Sequence, residues 1–188
     1  EVLAPGLLFD YDCADRPGSR SILPPGSRRP QRRELEIGKF PAPLLQRLLS
    51  RNSIQDPRVV LGPLVGEDAA VLDMGERLLV VASDPVTFAT DLIGWYAVQV
   101  NANDVACAGA PPRWFLATLL VPEQFSEGDA EAVFDQILEA CESVGATLIG
   151  GHSEVTHGID RTIILGTMLG EVDREKLVRT GGAQEGDS

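Results

Sequence analysis

Residues 100–111 read Val100-Asn101-Ala102-Asn103-Asp104-Val105-Ala106-Cys107-Ala108-Gly109-Ala110-Pro111. Small and apolar residues dominate, and the run extends back to Leu92, so a helix is predicted over 92–108. Gly109 and Pro111-Pro112 end it. Two asparagines and an aspartate are poor occupants of such a helix, because their side chains compete for backbone hydrogen bonds. With Val98, Val100, Val105 and Cys107 around them, their polar groups call for either a buried polar network or a ligand.

Working outward, Trp114 to Val121 reads as a strand and Glu127 to Val144 as a helix. Ser126 and Asp129 have capping-box spacing, and Ala130, Val133, Phe134, Ile137, Leu138 and Cys141 recur at helical intervals up to Gly145. Thr147 to Ile149 and Arg161 to Val172 read as further strands. Upstream, Ala69 to Asp73 and Leu78 to Ser83 form two valine- and leucine-rich runs about Met74-Gly75-Glu76-Arg77, a strand pair with a turn. The leucines at 44, 45, 48 and 49 give Pro43 to Arg51 one apolar helical face. The pattern predicts an α+β fold, a mixed β-sheet with helices packed on one face.

The chain of 188 residues is 44% hydrophobic and carries a net charge of −12. One domain of ordinary size fits that length. The acidic balance opposes binding to nucleic acid or an anionic membrane, both of which require a basic surface. Nowhere is there an apolar run of the roughly 18 residues a spanning helix needs, nor a basic stretch leading into an apolar signal core, so a cytoplasmic protein is expected. Cys13, Cys107 and Cys141 are odd in number and widely spaced, which suggests no disulfide framework; Cys107 and Cys141 are expected to be buried, inert thiols. Residues 1–33 hold six arginines against four acidic residues and are dense in proline and glycine, so they read as a disordered or vector-derived leader, with a basic partner-binding arm as the sharper possibility.

Three aspartates stand beside apolar runs: Asp68 at the start of a strand, Asp84 at the end of one, and Asp104 within the helix. A carboxylate close to a core has to be paired, hydrogen-bonded or bound to a cation. Convergence on magnesium is one solution, since that ion takes oxygen ligands and usually one or two carboxylates besides water and phosphate. The other is local: Asp68 capping a turn, Asp84 closing a strand, Asp104 bonding backbone. Gly150-Gly151-His152-Ser153 after the strand at Ile149 reads as a tight turn or a close backbone approach to a ligand. It is neither a phosphate-binding P-loop nor a dinucleotide fingerprint.

In this order the segments resemble the superfamily of aminoimidazole ribonucleotide (AIR) synthetase, thiamine-monophosphate kinase, selenophosphate synthetase and the hydrogenase-maturation carbamoyl dehydratase. Gly66-Glu67-Asp68-Ala69-Ala70-Val71 looks like its Gly-x-Asp-Ala-Ala-Val signature and Ser83-Asp84 like its Thr-Asp. Residues 100–111 look like its Asn-x-x-Asn/Ser-Asp helix ending in Gly-Ala, and Gly150-Gly151-His152-Ser153 like its Gly-Gly-x-Thr/Ser turn. The resemblance implies an amino-terminal ATP-binding domain over 34–178 whose sheets join across a homodimer, with 179–188 opening the linker to a carboxy-terminal domain. It implies ATP and Mg2+ as cofactors, Asp68, Asp84 and Asp104 holding the metal, Asn103 and Gly150, Gly151, His152 and Ser153 shaping the nucleotide pocket, and Lys39 reaching phosphate. The activity implied is phosphorylation of a substrate oxygen of a small-molecule or protein-borne acceptor; a non-catalytic nucleotide-binding dimerisation module is the alternative. His152 departs from the carboxylate that several members carry there. Thr180-Gly181-Gly182 onward resembles the passage into the second domain, so this chain is expected to be half of the enzyme.

Overall fold

A computed structural model of the chain describes residues 34–89, 91–182 and 185–186. The expected leader over 1–33, Cys13 and part of the expected linker therefore lie outside the described residues. Residues are grouped into two units that divide between Lys39 and Phe40. In the first, 34–39 are exposed and carry neither helix nor strand. Everything below concerns the second.

Its elements are α1 (Ala42–Leu49), β1 (Val59–Leu61), β2 (Ala70–Asp73), β3 (Leu78–Ala82), β4 (Pro85–Val86), α2 (Ile93–Cys107), β5 (Pro112–Val121), α3 (Glu127–Val144), β6 (Thr147–Val155) and β7 (Ile163–Val172). The strands form one sheet in the order β1-β2-β3-β7-β5-β6, with β4 also on β7. Every pairing is antiparallel except β5 with β6, which α3 connects. The fold is α+β with a mixed sheet, as the alternation of segments predicted. β1 and β4 are too short to show a period, and β4 begins at a proline, which donates nothing to a ladder.

Period-two burial along β5 and β7 sends Phe115, Ala117, Leu119 and Val121 and then Ile164, Met168 and Val172 into the core. α2 packs on that face against β7, β3 and β5, and α3 packs on α2. The two helices approach closely at Gly94, where a Cβ would lie 2.6 Å from the Val133 carbonyl oxygen. Gln136 Oε1 accepts a hydrogen bond from the Gly94 N–H there at 3.0 Å.

α3 begins with the predicted capping box. Ser126 Oγ accepts from the Asp129 N–H at 3.1 Å, and an Asp129 carboxylate oxygen accepts from the Ser126 N–H at 3.1 Å. Gly145, with φ 70°, closes the helix in the left-handed conformation that glycine favours.

Two expectations change. The strand predicted over 147–149 runs on to Val155, so Gly150-Gly151 is not a turn but part of β6, opposite Leu116 and Ala117 at a register shift in β5. A Cβ on Gly151 would run into the Ala117 carbonyl oxygen, and its φ is 146°. The close backbone approach inferred from the glycines is present at Gly151, toward the neighbouring strand β5. Secondly, Cys107 is exposed, while Cys141 is buried and burial pushes its thiol up to about 11. The leucines of α1 lie half-buried on one face, as their spacing predicted. None of the helices in the described residues is long and apolar enough to cross a membrane.

Candidate functional site

β3 and β4 both pair with β7, Ala82 opposite Met168 and Pro85 opposite Leu165, so the ladder resumes after Ser83-Asp84 without a change of register. Side chains bridge the gap. Ser83 Oγ donates to the Gly166 carbonyl oxygen at 2.9 Å and lies 3.0 Å from Thr167 Oγ1. The Gly166 N–H donates to the Asp84 carbonyl oxygen at 3.0 Å. Instead of returning to β7, as in an unbroken antiparallel pair, the Asp84 N–H donates to Asn101 Oδ1 at 2.8 Å.

Asn101 occupies one seat of the buried stripe Ile93, Ala97, Asn101, Val105 on α2, and it is 0% exposed. Its Nδ2 donates to the Ala97 carbonyl oxygen at 2.8 Å and to the Asp84 carbonyl oxygen at 3.2 Å. Both ends of the carboxamide are thereby satisfied, and two carbonyl oxygens facing one end fix which end carries nitrogen. A Cβ on Gly166 would strike this carboxamide and come within 2.8 Å of the Phe115 ring. Glycine in mid-strand here makes room for a side chain from the helix. Leaving one of these buried groups without its partner would cost about 1–3 kcal/mol.

What this arrangement fixes is the backbone of Asp84, whose carboxylate stays exposed. The pairing of Ala70 with Val81 places Asp68, also exposed, at the same end of the β2–β3 pair. Asp104 follows Asn101 by three residues, the next turn along the same side of α2, and is partly buried with an interaction of its own. Beside Asp68, Glu67 is drawn inward: its side chain is 8% exposed and lies 3.5 Å from Arg179 Nη2. The segment carrying Arg179 is tied down by the Val178 N–H donating to the Ala108 carbonyl oxygen at 3.1 Å.

The remaining predicted residues lie elsewhere. Asn103 is exposed on α2, and Asn101 is the asparagine that the fold uses. Across the sheet, His152 pairs with Thr118, Thr118 with Leu165, and Leu165 with Pro85. His152 is therefore level with the aspartate end but three strands away, about 14 Å along a flat sheet. Gly150, Gly151 and Ser153 share that edge and are exposed. His152 Nε2 lies 3.0 Å from Glu154 Oε2, whose carboxyl is held below its usual range by the Thr156 hydroxyl first and His152 second. Lys39 is exposed in the first unit. Among the described residues no three His, Cys, Asp or Glu side chains gather closely enough to hold a metal ion.

The three candidate donors are nonetheless of one kind. Asp68, Asp84 and Asp104 offer hard oxygens without sulfur or imidazole, which suits magnesium bound through one or two carboxylates and completed by water and phosphate rather than a closed protein cage. Ser83, Gly166, Glu67 and Arg179 were not singled out from the sequence. Asn101 carried a signal only together with Asn103 and Asp104, as polar residues interrupting an apolar helix.

Helices on one side of a mixed sheet, with acidic side chains at the ends of β2 and β3, define the class as an α+β domain rather than a doubly wound one. Residues 66–172 match the family described as AIR synthase related protein, N-terminal domain, and the chain belongs to that family. It is 33% identical over 127 residues to a protein of Methanocaldococcus jannaschii named for hydrogenase expression and formation, covering 65% of this chain and 38% of that one. Against the thiamine-monophosphate kinase of Aquifex aeolicus it is 27% identical over 133 residues, 66% of this chain and 42% of the kinase. The crystal structure of hydrogenase maturation protein HypE in complex with ATP superposes with a TM-score of 0.50 at 25% identity, over 65% of this chain and 37% of that one. The chain thus spans about two fifths of the length of these relatives.

Proposed function

We propose that this chain is the magnesium-ATP-binding part of an ATP-dependent enzyme that phosphorylates a substrate oxygen. One observation carries the reading: the Asp84 carboxylate is exposed while its backbone is clamped, at the end of the sheet that also presents Asp68. A relative that is a kinase and a structural neighbour that holds ATP support it. Asp84 and Asp68, with Asp104 one helical turn beyond Asn101, would hold magnesium, which would neutralise phosphate charge and align the terminal phosphoryl group. The chain's own part is to keep these oxygens in place before the nucleotide arrives.

A homodimer belongs to the same reading. The sheet face that α2 and α3 leave uncovered carries Leu72, Leu79, Val81, Trp114, Leu116, Leu165 and Leu169, none of them fully buried. An apolar face of that extent suits a second copy.

Calorimetry with a non-hydrolysable ATP analogue tests the assignment. Binding is expected with magnesium and lost with a chelator, and Asp84→Asn is expected to weaken it at least tenfold. Equal affinity in Asp84→Asn and the parent removes Asp84 from the site; no binding by the parent ends the proposal.

A further inference from the structure

We infer that Asn101 is a positioning residue for Asp84: by holding the peptide N–H and the carbonyl oxygen of that one residue, it sets where the carboxylate stands before any ligand binds. The inference rests on the reading of Asp84 as a magnesium ligand and extends it to a side chain that never touches the metal.

The geometry requires this particular residue type. Asp84 presents one donor and one acceptor to the helix, and Ala97 presents a second acceptor. Only a carboxamide matches that set, with one oxygen for the donor and two N–H groups for the acceptors. Aspartate would place a carboxylate oxygen against two carbonyl oxygens, leucine would leave all three groups unpaired, and glutamine carries one methylene too many for a site with no free space. Gly166 completes the fit, since any side chain there would occupy the volume of the Asn101 carboxamide.

The clamp is needed because Ser83-Asp84 is the one place where the β7 ladder is interrupted between β3 and β4. The interruption leaves the Asp84 N–H without a partner on β7, with only the carbonyl side of the residue held by the Gly166 N–H, and a peptide that turns on its unheld side swings the carboxylate attached to it. Asn101 takes the Asp84 N–H that β7 leaves unpaired and adds a second hydrogen bond to the carbonyl oxygen that the Gly166 N–H already holds, so the carboxylate is directed in advance of binding.

The test compares three forms of the protein, the parent, Asn101→Ala and Asp84→Asn, titrated with adenylyl imidodiphosphate with and without magnesium, while amide hydrogen exchange is followed at residue 84. Asn101→Ala is expected to lower magnesium-dependent affinity at least tenfold, to change magnesium-free binding less than twofold, and to speed exchange of the Asp84 amide by at least tenfold. Parent-like affinity in Asn101→Ala together with a loss in Asp84→Asn overturns the role of Asn101 and leaves the magnesium-nucleotide reading standing. No binding by the parent overturns both. If Asn101→Ala does not fold, the parent decides: a protected Asp84 amide and slowly exchanging Asn101 side-chain protons support the clamp, and random-coil exchange at both overturns it.

Discussion

The Ser83-Asp84 gap and the Gly150–Ser153 edge are both glycine- or polar-interrupted stretches of one sheet, yet the fold treats them oppositely. At the gap a buried asparagine, a serine hydroxyl and a glycine on the central strand β7 take up the hydrogen-bonding groups that the break leaves. At the edge, β6 pairs on one side only, its polar side chains are exposed, and His152 finds only its neighbour Glu154. Polar residues interrupting the centre of a sheet must be satisfied within the protein, whereas at an edge water satisfies them. The first kind of interruption is rigid and the second is held by little besides its backbone.

That contrast can be broken most sharply beneath the gap. Phe115 is fully buried and its ring abuts Gly166, so Phe115→Ala should cost about 3–5 kcal/mol and loosen the clamp with the core, as read by chemical denaturation and faster exchange of the Asp84 amide. Next comes the edge: Gly151→Ala sets a Cβ against the Ala117 carbonyl and should cost about 1–3 kcal/mol, with faster exchange confined to β6 and its partner β5. A smaller effect is expected away from both. Ser126→Ala removes the α3 cap for about 1 kcal/mol. The Ser126 hydroxyl and then its N–H hold the Asp129 carboxyl below its usual 3.8, so the cap's contribution is complete above that value and is lost as pH falls through the lower, folded one. Stability measured from pH 5 downward should therefore fall less steeply in Ser126→Ala than in the parent. Smallest of all, His152→Ala should change stability by no more than about 0.5 kcal/mol, because an exposed side chain with one surface contact contributes little. A loss above 1 kcal/mol there would show that the edge is as constrained as the centre.

Long periodic segments were legible from residues alone. The helix at Glu127–Val144 has its cap, its apolar spacing and its closing glycine in sequence, and the structure reproduces all three. The hairpin of β2 and β3 and the long strands β5 and β7 were equally plain. β6 was read short because glycines normally end strands, and only the register shift opposite Leu116 shows how two of them fit inside one. At the candidate site the unusual residues were visible but not their partners. Asn101 stood out with Asn103 and Asp104 as a polar interruption of an apolar helix, but that its carboxamide meets the backbone 17 residues earlier follows from packing of α2 on β7, which no local pattern encodes. Asn103 was taken from the family resemblance rather than from helical spacing, and it stands exposed beside the buried stripe. Glu67 was passed over because its partner Arg179 lies more than a hundred residues away.

The unchanged register across Ser83-Asp84 limits how this stretch can vary. Adding or deleting a single residue between β3 and β4 would slide one of them by a step along β7 and turn its alternate side chains to the opposite face. Beyond the identities of Ser83 and Asp84, the length of two is itself dictated by the strands on either side. An insertion scan should find this the least tolerant loop of the domain, although it lies in the open.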